Sequence, residues 1–72
     1  MKKQILVITV IDSAVDQVKS FENIEDAKVL FVEICRKNVN HFDEYSEKEF
    51  ESIMEYGYEQ WGDNNSVCIY HL

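Results

Sequence analysis

Lys3–Ile11 (KQILVITVI) and Ser66–Leu72 (SVCIYHL) are the stretches that most restrict how this chain can fold. In an extended backbone successive side chains point to opposite faces. In the first stretch one face carries Ile5, Val7, Thr9 and Ile11, and the other carries Leu6, Ile8 and Val10. Both faces are apolar, as in strands that a fold covers from two sides, and the β-branched content favours strand over helix. The second stretch has the same character. Yet the chain has only 72 residues, a single small domain over residues 1–72. A domain of that size buries a smaller share of its surface than a larger one. Cover for apolar strand faces is therefore scarce.

Between these strands the chain is punctuated by local stop and start patterns. Asp12-Ser13-Ala14 reads as a turn, and Val15–Phe21 as a more polar second strand suited to a sheet edge. Asn23 caps a helix running to about Lys37. Ile24, Ala27, Leu30, Phe31, Ile34 and Cys35 share its apolar stripe, and Val29 and Val32 fall opposite, beside Arg36. Asn38 ends the helix, and His41–Tyr45 is a connector. Ser46 with Glu49 three residues on forms a capping box opening a second helix. Phe50, Ile53, Met54, Gly57 and Trp61 line one side of it. Gly57 is placed as a left-handed cap, with Tyr58–Trp61 extended or a loose last turn. Gly62-Asp63-Asn64-Asn65 is a turn cluster before the last strand. The expected fold class is α+β in the order β-β-α-α-β. It has a three-stranded sheet with the first strand central and two helices on one face.

Several kinds of chemistry lack the residues they need. Met1-Lys2-Lys3 before an apolar run imitates a secretory leader, but the run stops at Asp12 without a small-residue cleavage site, and it is too short to span a bilayer. Cys35 and Cys68 sit inside apolar segments and read as buried thiols in a reducing compartment. A cytoplasmic location follows from both observations. A structural zinc site needs about four closely spaced ligands, whereas Cys35, Cys68, His41 and His71 show no paired spacing, so no metal or other cofactor is expected. Cys35 on an apolar stripe makes a poor nucleophile, there is no glycine-rich phosphate loop, and so small a domain has little room for a pocket. No catalytic residue is assigned.

Charge is the remaining feature. Residues 1–37 carry six acids and six bases, and residues 38–72 carry eight acids and Lys48, so the second half holds the whole formal charge of −7. Such asymmetry bears on partners and solubility rather than fold. Glu47, Glu51, Glu55 and Glu59 recur every four residues, which places them along one side of a helix. Like charges at that spacing cost helix stability. An anionic strip suits a basic groove, such as a nucleic-acid-binding protein possesses, and it also keeps a small protein soluble. It repels nucleic acid itself, so the late cluster of aromatic residues is core, rim or protein interface rather than a base-stacking platform.

The apolar hairpin, then Phe21-Glu22-Asn23-Ile24-Glu25-Asp26-Ala27, then Glu55-Tyr56-Gly57-Tyr58-Glu59 before Ser66–His71, resembles small acidic proteins of unknown function encoded by bacterial phages and mobile elements. The resemblance covers most of the chain but rests on structural motifs, and it implies a cytoplasmic accessory protein without catalytic residues.

Two functional expectations result. In the first, a non-enzymatic accessory protein binds a basic partner protein through Glu44, Glu47, Glu51, Glu55, Glu59 and Asp63, with Tyr56 and Tyr58 as anchors. Its sharpest form is an inhibitor that imitates nucleic acid. In the second, the chain is a structural or assembly module in which the acids only solvate. Two helices on one side leave the other sheet face bare, and a homodimer is the simplest cover.

Overall fold

The computed structural model describes residues 4–72, and Lys3, the expected start of the first strand, lies outside them. Strand β1 (Ile5–Ile11) turns through Asp12 and Ser13 into β2 (Ala14–Phe21). Both turn residues have positive φ, 52° and 67°, the handedness that matches the twist of a two-residue hairpin. No glycine relieves them. The turn is instead tied to the start of the neighbouring last strand: Ser13 N–H donates to the Asn64 carbonyl at 2.9 Å, and Asp12 N–H to Asn65 Oδ1 at 3.0 Å. A register shift between Thr9 and Val10 marks a bulge at Asp16.

Helix α1 (Ile24–Asn38) starts where expected, with Asn23 Oδ1 accepting from Glu25 N–H at 2.7 Å. A 3-10 turn (Phe42–Glu44) leads to α2 (Glu47–Tyr56). Strand β3 (Tyr58–Trp61) and strand β4 (Asn65–His71) complete an antiparallel sheet in the order β2-β1-β4-β3. The first strand is interior, flanked by β2 and β4, and β2 forms an edge.

The sheet has four strands rather than three, and the element order is β-β-α-α-β-β. Of the two expectations for Tyr58–Trp61, the extended one holds and the loose helical turn does not: the segment is a paired strand. Gly57 at φ 64° ends α2 in the left-handed cap and swings the chain back, so that Tyr58 to Trp61 pair with Cys68 to Asn65. A side chain at Gly57 would bring its Cβ within 3.2 Å of Ile69 Cβ, and Ile69 N–H donates to the Gly57 carbonyl at 2.7 Å. Only glycine satisfies both the turn and that approach.

The core gathers on one face. Ile5, Val7 and Val67 of the sheet pack with Ala27, Phe31 and Cys35 of α1, and with Phe42. Phe42 corrects the view of His41–Tyr45 as a plain connector: its ring is buried and lies 5.2 Å from the Tyr45 ring and 6.0 Å from Phe50. From α2, Phe50, Ile53 and Met54 pack against this cluster while only partly buried, as do Ile69 and Trp61. Both helices thus cover the same sheet face. Thr9, on that face, is the exception to its polar satisfaction. Its hydroxyl is buried without a hydrogen-bond partner, an arrangement that costs about 1–3 kcal/mol. Val32 joins the core fringe, whereas Val29 stays 62% exposed and α2 does not cover it.

The register defines the opposite, outer face. Its middle row runs Val18–Ile8–Cys68–Tyr58 across all four strands. Leu6 lies between Ser20 and Tyr70 on one side, and Val10 between Val15 and Ser66 on the other, with Gln60 beside Ser66. None of these apolar side chains belongs to the core cluster.

Candidate functional site

The capping box that opens α2 decides which of its acids are free. Glu49 N–H donates to Ser46 Oγ at 3.1 Å, and Ser46 N–H returns a bond to Glu49 Oε1 at 3.2 Å. Glu49 is therefore committed to the helix start. Phe50, Ile53 and Met54 face inward. The acids left on the solvent side are Glu47, Glu51 and Glu55, exposed together with Lys48 and Ser52, and Tyr56 is 80% exposed at the helix end. A four-residue step advances about 6 Å along a helix and rotates it about 40°. The three carboxylates thus form a ladder some 12 Å long.

The eight residues expected to form one partner surface divide among five places. Glu47, Glu51, Glu55 and Tyr56 stay together on α2. Glu44 lies just before that helix, exposed but paired with His41, Nδ1 to Oε2 at 2.6 Å. Glu59 does not continue the ladder, because the helix has already ended. It sits on β3 beside Val67, half-buried on the core side. There Tyr45 Oη donates to its Oε2 at 3.2 Å, and Gln60 N–H to its Oε1 at 3.0 Å. Asp63 is in the β3–β4 turn, near the Asp12-Ser13 hairpin, and Tyr58 points to the outer sheet face, where its hydroxyl donates to Gln60 Oε1 at 3.0 Å.

Burial raises the pKa of three groups, and the Glu59 carboxylate adds to it for two of them. Burial, with Glu59 adding its charge and hydrogen bond, pushes the Tyr45 phenol up. Burial and then the Glu59 charge push the Cys35 thiol up to about 12. Cys35 is thus a protonated, fully buried thiol at neutral pH, which withholds the thiolate a nucleophile requires. Burial also raises Cys68, opposed by a backbone hydrogen bond with Ile8. Among the described residues no group of three His, Cys, Asp or Glu side chains is placed to hold a metal ion. No helix there is long and apolar enough to cross a membrane.

Beside the ladder a cleft of about 300 Å³ opens between α1 and the end of α2, with Ile24, Met54 and Ile69 as apolar lining and Lys28, Glu55 and His71 at its polar parts. Glu55 and Tyr56 border both the ladder and this cleft.

Sequence reasoning missed Phe42 and the inward turn of Glu59. Each depends on contacts distant along the chain rather than on local spacing. No family model, curated protein or solved structure matches this chain.

Proposed function

We propose that this protein is a non-enzymatic accessory protein that binds a basic partner protein through the solvent face of α2. The observation that supports this reading is the conjunction of three exposed carboxylates, Glu47, Glu51 and Glu55, with a Tyr56 ring left 80% exposed beside them. Carboxylates supply steering and register at a rim, and a tyrosine supplies area at little entropic cost. Glu44 extends the acidic surface at one end, and the cleft next to Glu55 can take the aliphatic stem of a partner's Lys or Arg.

The partner feature proposed is a basic protein surface, of which the nucleic-acid groove of a binding protein is the sharpest form. With Glu59 drawn inward and Lys48 beside Glu47, the ladder is three carboxylates long, which suits a short basic strip on a partner protein.

The test is capture at low salt from bacterial lysate, with the native chain beside an E47Q/E51Q/E55Q variant. A captured basic protein is then purified and its affinity measured. The variant is expected to lose roughly tenfold or more in affinity, since each exposed ion pair is worth up to about 1 kcal/mol. The native complex should weaken steeply towards 0.5 M salt, where the screening length falls to about 4–5 Å. Equal binding by the two chains, or indifference to salt, overturns the proposal.

A further inference from the structure

The outer face of the sheet is built on a different principle from the helix layer. Its eleven register-paired positions include no Asp, Glu, Lys or Arg, and the bulged Asp16, two residues before Val18 on the edge strand, brings the one charge to this side. In a chain in which 29% of residues are charged, about three charged side chains would fall there if placement were indifferent to function. An antiparallel sheet with one solvated face ordinarily alternates apolar with polar side chains. Here β1 and β4 are apolar on the solvated side as well. Val15 is 65% exposed, Val18 51%, Tyr58 48% and Tyr70 54%.

From this we infer that the outer face is the interface of a face-to-face homodimer. The inference is independent of the α2 reading, because it uses the opposite side of the molecule. Three observations select a second copy as the occupant. The first is area. A half-exposed tyrosine presents roughly 100 Å². The two tyrosines, Val15, Val18 and the partly exposed Leu6, Ile8, Val10 and Cys68 together offer on the order of 500–600 Å². Two copies then bury about 1,000–1,200 Å², the lower bound for a specific interface. The second is symmetry. The sheet order places the middle of the face between Ile8 on β1 and Cys68 on β4. A two-fold axis through that point lays the apolar middle row over its own copy, with Ser20 and Gln60 towards the rim, the usual distribution of apolar centre and polar margin. The third is charge. The chain carries −7, and pairing through a face whose one charge is Asp16 at the β2 edge turns both acidic α2 helices outward, so few like charges meet. The product is a four-layer helix–sheet–sheet–helix sandwich, with its sheets about 10 Å apart. That spacing exceeds the roughly 4.4–6.8 Å between Cα atoms that a disulfide needs. The joint therefore shields Cys68 without cross-linking it.

The test uses the full chain, and reads mass and thiol access together. Sedimentation equilibrium on the native protein is expected to move from the monomer mass of 8.5 kDa towards twice that value as concentration rises from about 5 to about 300 µM, the range that matches a small interface of micromolar affinity. Raising the salt should leave that association intact or strengthen it. Over the same range, alkylation of Cys68 by iodoacetamide, followed by mass spectrometry, should slow several-fold. V18E changes a side chain that the core does not hold, and should keep the chain folded and monomeric throughout. Should V18E fail to fold, the alkylation of the native chain decides alone. A native mass fixed at 8.5 kDa overturns the inference. So does a dimer in which Cys68 reacts as fast as in the monomer, since the copies would then meet elsewhere.

Discussion

The two helices lie on the same sheet face and serve it unequally. Helix α1 buries Ala27, Phe31 and Cys35 completely, whereas α2 buries no residue fully. Helix α1 also respects its own dipole, with Glu25 and Asp26 in the first turn and Arg36 and Lys37 in the last. Helix α2 starts in the same way, with Glu47 and Glu49, but has no base in its last turn, where Glu55 stands instead. One helix is arranged for stability. The other is held by its capping box, one apolar side and a glycine cap, and it presents charge at some cost to itself. The contrast locates the part of the molecule whose composition stability alone does not explain.

The contrast breaks most easily in the core. Truncation of Phe31, fully buried on α1, should cost about 3–5 kcal/mol in urea unfolding. Truncation of Ile53, half-buried on α2, removes less buried surface and should cost about 1–2 kcal/mol. Equal losses would mean that α2 is as deeply embedded as α1 and that its acids are incidental to a structural helix.

Alkaline titration sharpens the same comparison, because Cys35 on α1 feels Glu59 from the strand that follows α2. The Cys35 thiol has a pKa raised from an ordinary value of 9.0 to about 12. The folded chain keeps this proton at a pH where the unfolded chain releases it. Its contribution is whole below pH 9 and is lost as pH rises from 9 towards 12, by up to about 1.4 kcal/mol per unit. Tyr45, also raised, acts in the same direction. Chemical unfolding of the native chain and C35A at a series of pH values should show a shallower alkaline decline in the variant. Parallel declines would assign the sensitivity elsewhere.

How much of this was legible follows from where the information lies. The Asn23 cap, the Ser46–Glu49 box and the Gly57 cap each depend on residues within a few positions of one another, and each stands where the sequence places it. The interior position of β1 and the edge position of β2 follow from their polarity. Strand β3 does not announce itself, because Glu59 is spaced from Glu55 as a helix would have it. Only pairing with β4 decides the matter, and that pairing is not local. The same misplacement assigned Glu59 to the partner surface. Phe42 reads as a lone aromatic in a polar connector until Tyr45 and Phe50 close around it.

The smallest expected effect bears most directly on function. Glu55 lies in the last turn of α2, where a negative charge meets the negative end of the helix dipole at a cost of about 0.3–1 kcal/mol, and four residues after Glu51, a like-charge spacing that adds a few tenths more. E55Q keeps the shape and helix propensity of the side chain and removes the charge. It should therefore stabilise the fold by about 0.5–1 kcal/mol, a rise of several degrees in Tm for a domain of this size, with most of the gain gone in high salt. The same substitution should weaken capture of a basic partner. Opposite signs in the two measurements are what a presenting helix requires, since the charge is then kept at the expense of the fold. A variant no more stable than the native chain would show that Glu55 carries no such cost, and α2 would then differ from α1 only in depth of burial.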